Sequence, residues 1–197
     1  EEWNKTAHIK PIMKQARLVA SAREQNWKML PEIKDYLKDP EKDEVTTNSL
    51  IRLLGPAGRG ELEGVLIKIL NNDTSALLRG SAARVLSAYR TTASLNALKK
   101  ALKDSSRLVR IRAASSLAEM GKTGFEGKTQ KAFAAALEEL KNAYRARPDD
   151  YASRYNMGNL HMHLNDTNKA VKAFRQSLKL FPGNVETLSN IAIAYNM

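Results

Sequence analysis

The chain has 197 residues, 43% hydrophobic and 6% aromatic, with no cysteine and a formal net charge of +11. The lack of cysteine excludes disulfides, thiolate metal sites and a cysteine nucleophile within these residues. Few aromatics, 10 glycines and 6 prolines beside abundant Ala, Leu, Lys, Arg and Glu favour helix over sheet, and the length suits several stacked hairpins.

In chain order, residues 1–10 (EEWNKTAHIK) form an N-terminal extension that does not read as a signal peptide, and residues 11–39 read as a helical hairpin. Pro11 is expected to open a helix carrying Ile12, Ala16, Val19 and Ala20 on one face. Pro31 falls in the first turn of a second, with Leu30, Ile33 and Leu37, which Asp39-Pro40 ends. After the polar connector DPEKDE come a helix from about Asp43 to Leu54, closed by Gly55-Pro56-Ala57-Gly58, and one from about Glu61 to Leu70. No uncharged run spans a bilayer.

A repeat runs through this region. Val45, Ser49 and Leu53 map by a shift of 33 onto Leu78, Ala82 and Leu86, and these by 31 onto Val109, Ala113 and Leu117. Leu66 and Leu70 map by 32 onto Leu98 and Leu102. The clearest copies, DTSALLRGSAARVLSAY from Asp73 and DSSRLVRIRAASSLAEM from Asp104, resemble HEAT-like repeats. That resemblance implies a structural pairing role for Asp73, Asp104, Arg79 and Arg110.

The stretch from Tyr151 to Pro182 carries Met157-Gly158, Ala170, Phe174, Ser177 and Pro182 at the intervals of a tetratricopeptide repeat, whose period is 34 residues. Gly158 and Ala170 are expected on facing sides of two antiparallel helices, where bulk would push them apart. Phe174 is expected to fill the space between that hairpin and its neighbour. Asn165 suits a left-handed turn, and Asp166 or Thr167 can cap the second helix. Arg154 and His161 depart from the pattern's aromatics.

One period on, Leu188, Ile191, Ala192 and Tyr195 occupy the first-helix slots, and the sequence stops at Met197. One period back, Ala136, Leu140, Ala143 and Pro148 mark a helix over 129–147, after a Gly-rich junction. The expected fold is all-α, a right-handed helical-hairpin superhelix of about eleven helices, HEAT-like over 11–121 and of tetratricopeptide type over 129–197. The abrupt start and the stop in mid-repeat are expected of an excised fragment, whose last helix would fray beyond about residue 190 or self-associate.

This order of parts also resembles the C-terminal portion of bacterial multihaem c-type cytochrome proteins. Trp3-Asn4-Lys5-Thr6-Ala7-His8 is similar to the W-x-x-S/T-x-H segments that place a distal haem-ligating histidine there. The resemblance implies a periplasmic or otherwise exported location, haem c in sequence upstream of Glu1 and an axial-ligand role for His8. Read from the residues alone, His8 is a polar residue on a terminus, and this stretch needs no cofactor.

Among candidate binding residues, Tyr155, Asn159, Met162 and His163 share a helix face that suits a peptide groove or plain solvation. Asn159 resembles the asparagine of tetratricopeptide carboxylate clamps, but Tyr155 stands where such clamps have lysine. His161 and His163, two apart on a helix, point in different directions and make no shared metal site. Residues 76–122 hold ten basic against two acidic side chains, net +8. Arg79, Arg84, Lys99, Lys100, Lys103, Arg107, Arg110 and Arg112 form this basic band, a phosphate-attracting surface or a solvated outer face. No phosphate loop, HExxH helix or nucleophile elbow is present. The sequence points to a non-catalytic scaffold that docks a protein or peptide. The rival is a HEAT-like nucleic-acid-binding module resembling DNA glycosylases of that architecture, for which the band offers one aromatic, Tyr89.

Overall fold

A computed structural model describes the backbone of residues 2–55 and 60–196 and the side chains of 11–55 and 60–196. Pro56, Ala57, Gly58, Met197 and the side chains of Trp3 to His8, which the sequence reading singled out, lie outside these described residues. The described residues form eleven α-helices and no strand: α1 Glu2–Arg23, α2 Leu30–Lys38, α3 Glu44–Leu53, α4 Gly60–Asn72, α5 Ala76–Val85, α6 Thr92–Ala101, α7 Arg107–Glu119, α8 Gly127–Arg145, α9 Tyr151–His163, α10 Thr167–Leu180 and α11 Val185–Tyr195. They divide into two compact units, residues 1–97 and 98–197, with the boundary inside α6.

In the first unit α1, α3 and α5 lie side by side, with α2 against α4 and α4 against α5. The core between them is aliphatic: Ile33, Leu37, Leu50, Ile51, Leu54, Leu62, Leu66 and Leu86 are all but inaccessible to solvent. Two expectations need correcting. The first helix does not open at Pro11 but carries it inside, and its inward residues are Leu18, Ser21 and Ala22, while Ile12, Ala16 and Ala20 of the expected apolar face are exposed. The first copy of the HEAT-like pattern is also out of register. Val45 is 69% exposed in the first turn of α3, and the buried positions are Thr47, Leu50, Ile51 and Leu54. Asp43 sets this register: its carboxylate accepts from the Thr46 amide at 2.7 Å, which fixes the start of the helix and leaves Val45 facing outward.

The second unit repeats the plan with α7, α9 and α11 adjacent, α8 against α7 and α9, and α10 against α9 and α11. Val109, Ala113 and Leu117 are buried as their spacing predicts, as are Phe133, Ala136, Leu140, Ala170 and Phe174. Helix ends follow local chemistry. Asn165 takes the left-handed conformation at φ 58°, and the Asp166 amide donates to the His161 carbonyl at 2.9 Å, closing α9. Gly121, at φ 70°, closes α7 in the same way through Lys122 and Leu117. Asp166, rather than Thr167, caps α10 by accepting from the Lys169 amide.

The two Asp-containing turns, 31 residues apart, are built alike. Arg79 Nη1 donates to the carbonyls of Asp73 at 2.9 Å and Thr74 at 3.0 Å, while Arg110 Nη1 donates to those of Asp104 at 2.9 Å and Ser105 at 3.0 Å. In each turn the aspartate carboxylate accepts from the amide two residues on, Ser75 or Ser106. Each arginine therefore satisfies two carbonyls that the following helix leaves unpaired.

Candidate functional site

The α9–α11 face is assembled from short capping rules upward. Asp150 accepts from the Ala152 and Ser153 amides at 3.2 and 3.0 Å and starts α9; Asn184 accepts from the Thr187 amide at 2.7 Å and starts α11. With both starts fixed, Tyr155 and Asn159, one turn apart on α9, meet Asn190 on α11. The Asn190 amide donates to Tyr155 Oη at 3.1 Å and to Asn159 Oδ1 at 2.9 Å. Beneath them the Tyr155 ring rests on Phe174, centroids 5.9 Å apart.

This leaves defined capacity unused. Tyr155 retains an O–H donor, Asn159 its amide protons and Asn190 its carbonyl oxygen, a set that can pair with both the C=O and the N–H of a partner's peptide group. Met162, half-buried, and His163, exposed, continue the face one turn further along α9. Asn190 escaped the sequence reading. It stands 31 residues after Asn159, three short of the 34-residue period, so stepping the groove positions forward by one repeat lands on Ser189 and Ile193 and passes it by.

His161, one residue from that face, is a separate case. Its Nδ1 is buried without a hydrogen-bond partner among the described residues. Burial holds its pKa below the ordinary 6.5, helped by Lys141, Lys169 and Arg145 and opposed by Asp166. In the window from 6.5 down to that lowered value the unfolded chain binds the proton and the folded chain does not, so stability falls as pH falls. Urea midpoints should therefore decline as pH falls from about 7 through the ordinary histidine pKa, and His161→Phe should flatten that decline. Equal slopes in the two proteins would assign the dependence elsewhere.

The basic residues have varied circumstances. Arg79 and Arg110 hold their own turns, and Arg110 also makes a two-pronged contact with Glu139, Nε to Oε2 at 3.1 Å and Nη2 to Oε1 at 2.7 Å. Arg107 donates to the Glu139 carbonyl at 2.9 Å, and Lys99 lies 5.4 Å from the centre of the Phe125 ring. Arg84, in the first unit, and Lys100, Lys103 and Arg112, in the second, are exposed. Tyr89 has its hydroxyl buried without a hydrogen-bond partner, and its pKa is pushed up to about 12 by burial and then by the charge of Glu63. Among the described residues no three His, Cys, Asp or Glu side chains cluster as metal ligands, and no helix is long and apolar enough to cross a membrane.

Comparison with known families accounts for both halves of the pattern. Residues 63–154 match HEAT repeats, and residues 151–184 match the tetratricopeptide repeat. The chain carries both repeat types. With the helices described above, these matches make the fold class all-α, of the α-α superhelix kind. The chain is also 33% identical over 76 residues to the photosystem I assembly protein Ycf3 of Cyanophora paradoxa, a stretch covering 37% of this chain and 44% of that protein. The match thus spans less than half of that relative's length.

Proposed function

We propose that this chain is a non-catalytic docking scaffold whose α9–α11 face holds an extended segment of a partner protein. The observation that carries it is the Tyr155–Asn159–Asn190 set, three side chains from two helices joined by hydrogen bonds yet retaining donors and an acceptor for a peptide group. Two findings support the general reading: the tetratricopeptide match covers α9 and α10, and a relative over part of the chain is named as an assembly protein. Peptides selected from a random library on the immobilised chain should lose about tenfold in affinity for Asn159→Ala or Asn190→Ala, the order expected when one hydrogen bond at an interface is removed. Selected peptides that bind both variants as tightly as the parent would place docking elsewhere.

The finer reading is that the scaffold belongs to a multihaem c-type cytochrome protein and is exported with it. It rests on the order of repeat types and on Trp3, Thr6 and His8. The 197 residues hold no cysteine to carry a covalently attached haem, so they do not fit a resident haem c. A haem-specific stain of the protein from its native source tests this reading, and its absence would remove it.

A further inference from the structure

In the first unit, the last turns of α1, α3 and α5 border a cavity of about 460 Å³. Each supplies one arginine to the wall: Arg23, Arg52 and Arg84. Ser49 adds a hydroxyl, and Leu53 and Val85 an apolar flank. Among the described residues no carboxylate lines the cavity and none of the three arginines is in an ion pair.

A cation in the last turn of a helix offsets the carbonyl dipole there, which accounts for each arginine singly. It does not account for three at one cavity. Three helix ends contribute about −1.5 charges against +3 from the guanidinium groups, a surplus of about +1.5. The Ser87 hydroxyl reduces the negative side further by donating to the Arg84 carbonyl at 2.9 Å. A carboxylate would leave part of that surplus uncompensated, whereas a phosphate monoester carries about −1.5 to −2 at pH 7. Guanidinium groups match phosphate oxygens with paired hydrogen bonds. The volume suits one small ligand rather than a polymer backbone, and Leu53 and Val85 favour an apolar ester group beside the anion.

We propose that this cavity binds a phosphate monoester with an apolar or aromatic organic part, either a free metabolite or a phosphorylated side chain of a partner. The proposal is independent of the α9–α11 face and neither stands nor falls with it.

Isothermal titration of the whole chain with phenyl phosphate, inorganic phosphate and a phosphotyrosine peptide beside its unphosphorylated form tests it. One equivalent of phenyl phosphate should bind, more tightly than inorganic phosphate, and Arg52→Gln and Arg84→Gln should each weaken it at least about tenfold. Lys179→Gln, on α10 in the other unit, should leave it unchanged. A phosphopeptide preferred more than about tenfold over phenyl phosphate identifies a partner protein as the source, and near-equal affinities identify a free ester. Arg84→Lys keeps the charge and should keep part of the affinity, while circular dichroism of each variant separates a lost site from a lost fold. The proposal is overturned if neither phosphate ester binds saturably up to about 10 mM, or if Arg52→Gln and Arg84→Gln, singly and together, bind like the parent.

Discussion

Phe174→Ala should destabilise the second unit by about 3–5 kcal/mol, the range for removing a buried aromatic ring whose surroundings cannot fully collapse. Phe174 has no solvent exposure, lies against the Gly158 backbone and supports the Tyr155 ring. The loss should reach the candidate site as well, since Tyr155 is the layer between Phe174 and the Asn190 amide. Urea unfolding followed by hydrogen exchange at α9 and α10 measures both effects. A cost below about 1 kcal/mol would show that the ring is not a core element.

Gly158→Ala is the converse case, too much volume instead of too little. A Cβ at Gly158 would come within 2.8 Å of Phe174 Cζ and closer still to the two neighbouring ring carbons. The substitution gains about 1 kcal/mol of helix propensity, while forcing atoms into a packed core costs about 1–3 kcal/mol. Here the obstacle is a ring enclosed on all sides, so the upper part of that range applies and the variant should lose about 1–2 kcal/mol net. Gly64→Ala is the internal control: Gly64 lies within α4 with nothing within 4 Å of a Cβ, and its substitution should stabilise. Phe174→Leu should recover part of the Gly158→Ala loss, a coupling that a thermodynamic cycle would reveal. Gly158→Ala behaving like Gly64→Ala would mean that α9 and α10 are not held at the separation described.

The expected packing differs here in one respect. The ring of Phe174, expected between hairpins, meets Gly158 within its own, so even a methyl group at 158 is excessive. The spacing from Gly158 to Ser177 was nevertheless a sound guide, because close approach of two helices admits few residue types at fixed intervals. HEAT-like slots are less exacting. Val, Leu, Ser and Ala interchange in them, so Val45, Ser49 and Leu53 fitted the pattern as well as Thr47, Ile51 and Leu54 did, and the capping bond of Asp43 was the better landmark.

What joins side chains from separate helices was less legible. Tyr155 and Asn159 share a face by spacing alone, but Asn190 joins them only because α9 and α11 lie adjacent. Arg84 reads in the sequence only as part of the basic band, Arg23 and Arg52 stand out in no pattern, and their common cavity exists only in three dimensions. The last helix forms where expected but buries other residues: α11 is helical through Tyr195 and buries Thr187 and Ala194, while Leu188, Ala192 and Tyr195, three of its four assigned slots, are exposed.

The arginine-held turns bear on how such a chain acquires its structure. Arg79 and Arg110 reach back only five or six residues, so closing either loop restricts little chain and requires no neighbouring hairpin to be in place. Contacts this local form early, ahead of pairings between distant segments. Each turn can therefore act as its own nucleus, fixing the direction in which α5 or α7 leaves before there is anything to pack against. A chain seeded at these two points can begin to assemble as it emerges during synthesis, without waiting for its last residue.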